Sequence, residues 1–269
     1  MDAAHKWTEA TLKDLEKRIK VEYTKAYQSC RNEMSAIMAT IAEHPEWDGA
    51  KRLTEMQKYQ RLEKLSEQMA DTINDASGMA VKYIKGESVN VFKHNYNWQA
   101  SELGFAGIDN TAAKNIILGI SNPFTRLSYQ AVTDKAVTQR ALQSELISGL
   151  LQGDSIRGIA KRIKTVTEKP LKECITIART ETTYAQNSAR QSVGEYGEKH
   201  GFKMLKEWRA TEDSRTRDAH LEADGQRVSV DDPFEVDGEE LMFPGDYSMG
   251  ASPGNTINCR CTVVYVIDK

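Results

Sequence analysis

The sequence predicts an α+β protein: a long N-terminal helical hairpin and further helices over residues 1–169, then a small β-containing domain over residues 170–269. Three observations predict it. Apolar residues recur every three or four positions through most of the chain up to His200, the period of a helix face. Beyond that point the pattern turns to alternating and β-branched runs separated by turn dipeptides. The charge changes with it, from net +5 over residues 1–206 to net −8 over residues 207–269.

The first stripe reads Leu12, Leu15, Ile19, Tyr23, Ala26, Cys30, Met34, Ile37 and Ile41. Its steps of three and four approximate an eleven-residue repeat, which keeps the stripe nearly straight along one long helix. His44, Pro45 and Gly49 end it. A second stripe, Leu53, Met56, Leu62, Leu65, Met69, Ile73, Ala76 and Ala80, follows after a short connection, so the two helices are expected to form an antiparallel hairpin. Either a structural arm or a partner-docking surface fits such a pair. Residues 86–132, with Gly86, Gly104, Gly107, Gly119 and Pro123 around Phe92, Tyr96 and Trp98, read as shorter helices and loops. A helix resumes from Val132 to Leu151. Gly153 and Asp154 break it, and Ser155 caps the next, with Ile156, Ile159, Ala160 and Ile163 inward and Arg157, Lys161, Arg162 and Lys164 outward. This helix-turn-helix shape fits DNA binding or a merely solvated basic face. After Pro170 another helix is expected from Leu171 to His200, closed by Gly201. Strands are expected over Phe202–Arg209, over Arg227–Val230 after the turn Asp224-Gly225, and over Thr262–Ile267.

Composition excludes several classes. With 36 Lys plus Arg against 39 Asp plus Glu, the 269-residue chain has net charge −3, which disfavours a coat protein that holds nucleic acid by charge alone. Any DNA contact should run through residues 1–206. No basic segment leads into an apolar signal core, and no apolar run is long enough to span a bilayer, so a cytoplasmic origin is expected. Cys30 and Cys174 sit singly within helical patterns and read as core residues. Phosphate-binding glycine loops, G-x-S-x-G and H-E-x-x-H are missing.

Two constellations remain. Arg179-Thr180-Glu181-Thr182-Thr183 with Asn187 and Arg190 lies on one helix, and Arg179, Thr183 and Asn187 recur at i, i+4, placed to brace the helix against the β unit. An Arg and a Glu together suggest ADP-ribosyl transfer, but that chemistry needs a strand-borne Arg and a separate Glu in a nicotinamide cleft. The second set is Asp213, Arg215, Thr216, Arg217, His220, Asp224 and Gly225, then Asp232-Pro233-Phe234, then Asn258-Cys259-Arg260-Cys261. Two thiolates and an imidazole suit tetrahedral Zn²⁺, making His220, Cys259 and Cys261 candidate metal ligands. Asp213, Asp218, Asp224 or a water would supply the fourth position. The competing reading places the two cysteines on opposite faces of one strand, with His220 hydrogen-bonded to an Asp.

In the order and spacing of Ala178–Thr182, Asn187, Arg190, Trp208, Asp213-x-Arg215-Thr216-Arg217-x-x-His220, Asp224-Gly225, Asp232-Pro233-Phe234 and Asn258-Cys259-Arg260-Cys261, residues 170–269 resemble the C-terminal domain of phage Mu F-like minor head proteins. This is the head-morphogenesis family also found in Bacillus phage SPP1. One departure is Gly250–Ile257, where family members often carry proline and tryptophan. The resemblance implies a non-enzymatic minor capsid protein of a tailed phage, prophage or phage-derived particle. The implied partners are portal protein, major capsid or scaffolding protein and packaged DNA, with no membrane during assembly and a role in DNA packaging or ejection. The implied location is inside the capsid of the virion, after assembly in the host cytoplasm. Because the chain stops soon after the last matching strand begins, a fused toxin module is not expected. No cofactor is required for that role; a structural Zn is the option that the His220, Cys259 and Cys261 donor set leaves open. The alternative is a metal-dependent hydrolase or nuclease built on His220, Cys259 and Cys261.

Overall fold

The spacing from Leu15 to Ile41 is realised as α1 (Ala3–Ala42). The computed structural model describes residues 1–117, 129–130 and 132–268, the side chains of residues 36, 37 and 59 excepted. Leu15, Ile19, Tyr23, Ala26, Cys30, Met34 and Ile41 are all buried; Ile37 lies outside the described side chains. Gly49 does not end this helix but opens α2 (Gly49–Gln57), where the Asp48 side chain accepts from Lys51 N at 2.7 Å. A single 3₁₀ turn (Lys58–Gln60) then leads into α3 (Arg61–Leu103). Helices α1 and α3 are antiparallel as expected: Tyr23 meets Ser77 through their hydroxyls at 2.7 Å, and further along α1 the Cys30 thiol donates back to Met69 O at 3.7 Å.

Helix α3 corrects the expectation for residues 86–132. It continues through Phe92, Tyr96 and Trp98 to Leu103, because Ile84, Ser88, Val91, Asn95 and Gln99 keep a buried face at helical spacing. Gly86 is exposed, so it costs the helix propensity without breaking it. A short helix does follow, α4 (Asn110–Ile117), started by Asp109 accepting from Ala112 N at 2.8 Å. Gly119 and Pro123 lie outside the described residues.

The expected helix-turn-helix is α5 (Lys135–Leu151) and α6 (Ile156–Lys199), with Gly153 in the left-handed region and Ser155 Oγ accepting from Gly158 N at 3.2 Å. Its basic face is thinner than the sequence suggests. Arg162 turns inward to Asp154 at 2.7 Å and Glu145 at 3.1 Å, and Lys164 pairs with Glu168 at 3.6 Å. Gly49 lets α2 approach α5 closely, since a Cβ there would stand 2.2 Å from Leu151 O. Pro170 corrects another expectation: α6 runs through it unbroken. A proline removes one backbone donor, and the buried residues on both sides, Ile163, Thr167, Cys174 and Ile177, hold the helix together across that loss.

Two compact units result, one built from Met1–Glu16, Tyr83–Leu127 and Thr176–Lys269, the other from Lys17–Lys82 and Ser128–Ile175. The expected cut at residue 170 therefore falls inside α6, because the long helices contribute to both cores.

After Gly201 the β-rich part follows as predicted. β1 (Met204–Arg209) lies between β2 (Arg227–Ser229) and β5 (Thr262–Ile267), antiparallel to both, with Lys206 opposite Val228 and Tyr265. A two-stranded hairpin, β3 (Phe234–Val236) and β4 (Glu239–Leu241), is absent from the sequence expectation although Asp237-Gly238, both at positive φ, is its turn signal. Trp208, Phe234, Val263 and Tyr265 pack with Ala189 and Val193 of α6 in one core. Gly194 is what lets β5 lie on the helix: a Cβ there would fall 2.3 Å from the Tyr265 ring and 2.8 Å from Val230. Gly194→Ala is expected to destabilise the chain by about 2 kcal/mol through overpacking, read as a lower midpoint in urea.

Lys206 is fully buried, its Nζ donating to Met242 O at 2.8 Å and standing 5.2 Å from the Phe234 ring centroid. Burial pushes its ammonium down to about 8, against the pull of Asp246, Asp231, Asp232 and Glu195. The unfolded chain holds this proton to about pH 10. Between those values the unfolded state binds more protons, so Lys206 costs stability at neutral pH and the cost is relieved as pH rises through that window. Lys206→Met is expected to gain about 1–2 kcal/mol at pH 7 after allowing for the lost hydrogen bond, with the gain vanishing near pH 10. Paired urea titrations of both proteins at the two pH values check this.

Candidate metal centre

Three buried side chains from two distant stretches of sequence meet in the first unit. His220 comes from α7 (Asp218–Glu222), and Cys259 and Cys261 from the segment that leads from α8 (Pro253–Thr256) into β5; each is 1% exposed. His220 Nδ1 lies 3.6 Å from Cys259 Sγ and 3.5 Å from Cys261 Sγ, and the three donor atoms are all within 4.8 Å of one another. The opposite-face reading of the two cysteines is thereby corrected. They precede the strand rather than lying in its pleat, and Asn258 at φ 56° turns the chain just before them. Among the described residues no Asp holds His220.

The loop is fixed by its backbone. Asn258 N donates to Thr180 Oγ1 at 3.2 Å, Thr183 Oγ1 donates to Cys259 O at 2.6 Å, and Asn187 Nδ2 donates to Cys261 O at 3.0 Å. Thr180, Thr183 and Asn187 step by three and four along α6, so one helix face addresses three consecutive parts of the loop. From the other side, Arg217 Nη2 donates to Ile257 O at 2.6 Å and Thr211 Oγ1 to Arg260 O at 2.7 Å. The expected i, i+4 brace is therefore made by Thr183 and Asn187, while Arg179 turns to Glu16 at 2.7 Å. Thr211 went unnoticed in the sequence, since its partner lies 49 residues away.

The aspartates expected as a fourth ligand stand elsewhere. Asp213 grips the Arg260 guanidinium with both oxygens, and that hydrogen bond holds its carboxyl well below the usual range. Asp224 accepts from Ala210 N at 2.7 Å, and Asp218 is exposed. Around the trio the environment is apolar: the Trp208 ring stands at 85° to the imidazole with centroids 5.6 Å apart. His220 Nε2 has no hydrogen-bond partner among the described residues. The Cys259 thiol is raised by hydrogen bonding to Cys261 and by burial, and Cys261 is lowered by the bonds from Cys259 and His220, which outweigh its own burial.

Residues 140–264 match the family described as Phage Mu protein F like protein. The match begins in α5, earlier than the resemblance read from the motifs. The chain is 24% identical over 274 aligned positions to the Minor head protein GP7 of Bacillus phage SPP1, covering 98% of this chain and 85% of GP7. It is 28% identical over 216 residues to NAD(+)--arginine ADP-ribosyltransferase EFV of Enterococcus faecalis, covering 74% of this chain but 43% of that protein. A third relative, YqbB of Bacillus subtilis, is 28% identical over 139 residues, half of this chain and 44% of YqbB. Thus the chain spans less than half of the enterococcal protein and of YqbB, and most of GP7. No solved structure matches it. Residues 140–264, the stretch similar to the phage Mu protein F like family, contain His220, Cys259, Cys261 and every side chain that clamps their loop.

Proposed function

We propose that this chain is a minor head protein of a tailed phage, prophage or phage-derived particle, built into the procapsid beside the portal protein and working without turnover. The observation that carries the reading is the similarity to GP7, which runs through both compact units rather than the C-terminal part alone. In this reading the chain is made in the host cytoplasm, enters the capsid through contacts with portal and with major capsid or scaffolding protein, and lies against packaged DNA with a role in packaging or ejection. Among the described residues no helix is long and apolar enough to cross a membrane, in keeping with assembly away from one. The net +5 of residues 1–206 makes that part the side tolerant of DNA. Leu151 and Ile156, exposed on either side of the α5–α6 turn, offer apolar area for a protein partner.

Two features support a role without catalysis. The His/Cys/Cys trio is buried, so a fourth coordination position on a metal held there is closed to a substrate, whereas a hydrolytic metal must present one. Arg179 is ion-paired to Glu16 on helices rather than set on a strand in a nicotinamide cleft.

The test is co-expression with the portal protein of the same phage or prophage, followed by affinity capture and size exclusion at moderate salt. Co-elution, and recovery of the chain from purified particles by mass spectrometry, is the expected result. A chain that emerges alone and is missing from particles overturns the reading, as does NAD-dependent arginine modification by the purified protein.

A further inference from the structure

We propose that His220 Nδ1, Cys259 Sγ and Cys261 Sγ bind one Zn²⁺ as a buried structural centre with three protein ligands. The inference stands independently of the head role and rests first on distance. In a tetrahedral site with Zn–S of about 2.3 Å and Zn–N of about 2.0–2.1 Å, a nitrogen and a sulfur on the same ion stand roughly 3.6 Å apart. The two distances here are 3.6 and 3.5 Å. One imidazole nitrogen has a single in-plane lone pair or a single N–H, so a hydrogen bond would favour one sulfur over the other. Near-equality to both is what a shared ion between them imposes.

Charge and softness select the ion. Two thiolates neutralise a divalent cation, which removes most of the cost of holding charge at 1% exposure. Sulfur and imidazole donors in tetrahedral arrangement favour Zn²⁺ over the oxygen-seeking Mg²⁺ and Ca²⁺. Among the described residues no further His, Cys, Asp or Glu joins the trio, so a solvent-derived ligand completes the coordination. The loop is pre-shaped for this: five side chains hold the backbone from Ile257 to Cys261 so that both sulfurs face the imidazole. A helix of five residues, α7, has too few turns to stand alone, and the ion would tie it to the approach of β5.

The experiment uses the full chain, purified without chelator. Elemental analysis is expected to give one zinc per chain, and Co²⁺ exchange to give tetrahedral ligand-field bands with a thiolate-to-cobalt charge-transfer band. Cys261→Ser should lose about half of that charge-transfer intensity, and His220→Ala should lose the stoichiometric metal. Should either variant fail to fold, the parent answers alone: removing zinc with a strong chelator should lower its melting temperature, and adding zinc back should restore it. A folded parent that neither contains zinc nor takes up zinc or cobalt overturns the proposal. So does stoichiometric metal retained in a folded His220→Ala variant, which would place the ion elsewhere.

Discussion

Replacing Arg190 by alanine is expected to destabilise the chain by about 3–5 kcal/mol, the scale for breaking a buried charged pair from one side. The guanidinium is fully buried, and all five of its N–H donors are used. Nη1 donates to Asp2 Oδ2 at 2.8 Å and Val263 O at 3.0 Å; Nη2 donates to Asp2 Oδ1 at 2.9 Å and Asn95 Oδ1 at 3.1 Å; Nε donates to Asn95 Oδ1 at 3.2 Å. The Trp98 ring covers the cation at 4.7 Å. One side chain therefore joins the start of α1, the C-terminal part of α3 and β5. Burial pushes Asp2 up, but the hydrogen bonds and charge of Arg190 overcome it and leave the carboxyl below its ordinary value. A carboxylate depressed in this way contributes stability above its unfolded value near pH 4 and loses it as pH falls further. Urea unfolding should show a large loss for Arg190→Ala at pH 7. It should also show that the gap between parent and variant narrows below pH 4, as Asp2 takes up its proton. Arg190→Lys should recover little, because an ammonium cannot reproduce the planar fork. An unchanged midpoint in Arg190→Ala would mean that the network does not carry the junction.

Asn187→Ala is expected to cost a similar amount, about 3–4 kcal/mol, for a different reason. Its side chain is fully buried and uses both ends of the amide: Nδ2 donates to Pro244 O at 2.9 Å and Cys261 O at 3.0 Å, and Oδ1 accepts from Val263 N and Thr262 Oγ1, both at 3.1 Å. Alanine leaves a backbone N–H and two carbonyls without partners, at about 1–3 kcal/mol for each buried group that water cannot reach. Asp in its place keeps the acceptor, loses the two donations and brings a charge into an apolar core, so it should be at least as harmful. Because Asn187 fixes the entry to β5, amide exchange at Val263 should accelerate in Asn187→Ala more than exchange in α5. Uniform acceleration would instead mark a general loss of stability.

The sequence reveals long helices well where one face stays buried, as from Leu15 to Ile41, and strands well where β-branched residues follow a turn, as from Thr262 to Ile267. It misleads where a single residue carries a general tendency that its surroundings override. Gly86 and Pro170 read as breaks, yet both sit within helices whose buried faces continue on either side. The Asp237-Gly238 hairpin was there to be read from its turn residues alone. The centre was legible as a set of residue types, His220, Cys259 and Cys261, but its surroundings were not. That Asp213 and Asp224 are taken up by Arg260 and by Ala210 N is decided by partners 47 and 14 residues away.

By itself the sequence determined the helical and β-rich parts, the motif on α6 and the donor types that could hold a metal, because periodicity, turn chemistry and ligand chemistry are local. Only the tertiary structure decided that Thr180, Thr183 and Asn187 grip the Cys259–Cys261 loop, that both sulfurs face one imidazole nitrogen, and that Arg190 joins three elements. The helix-to-loop contacts span 74 to 78 residues of chain, the sulfur–imidazole contacts 39 and 41, and Arg190 to Asp2 188, and such contacts exist only once burial has brought the elements together and taken each polar group away from water.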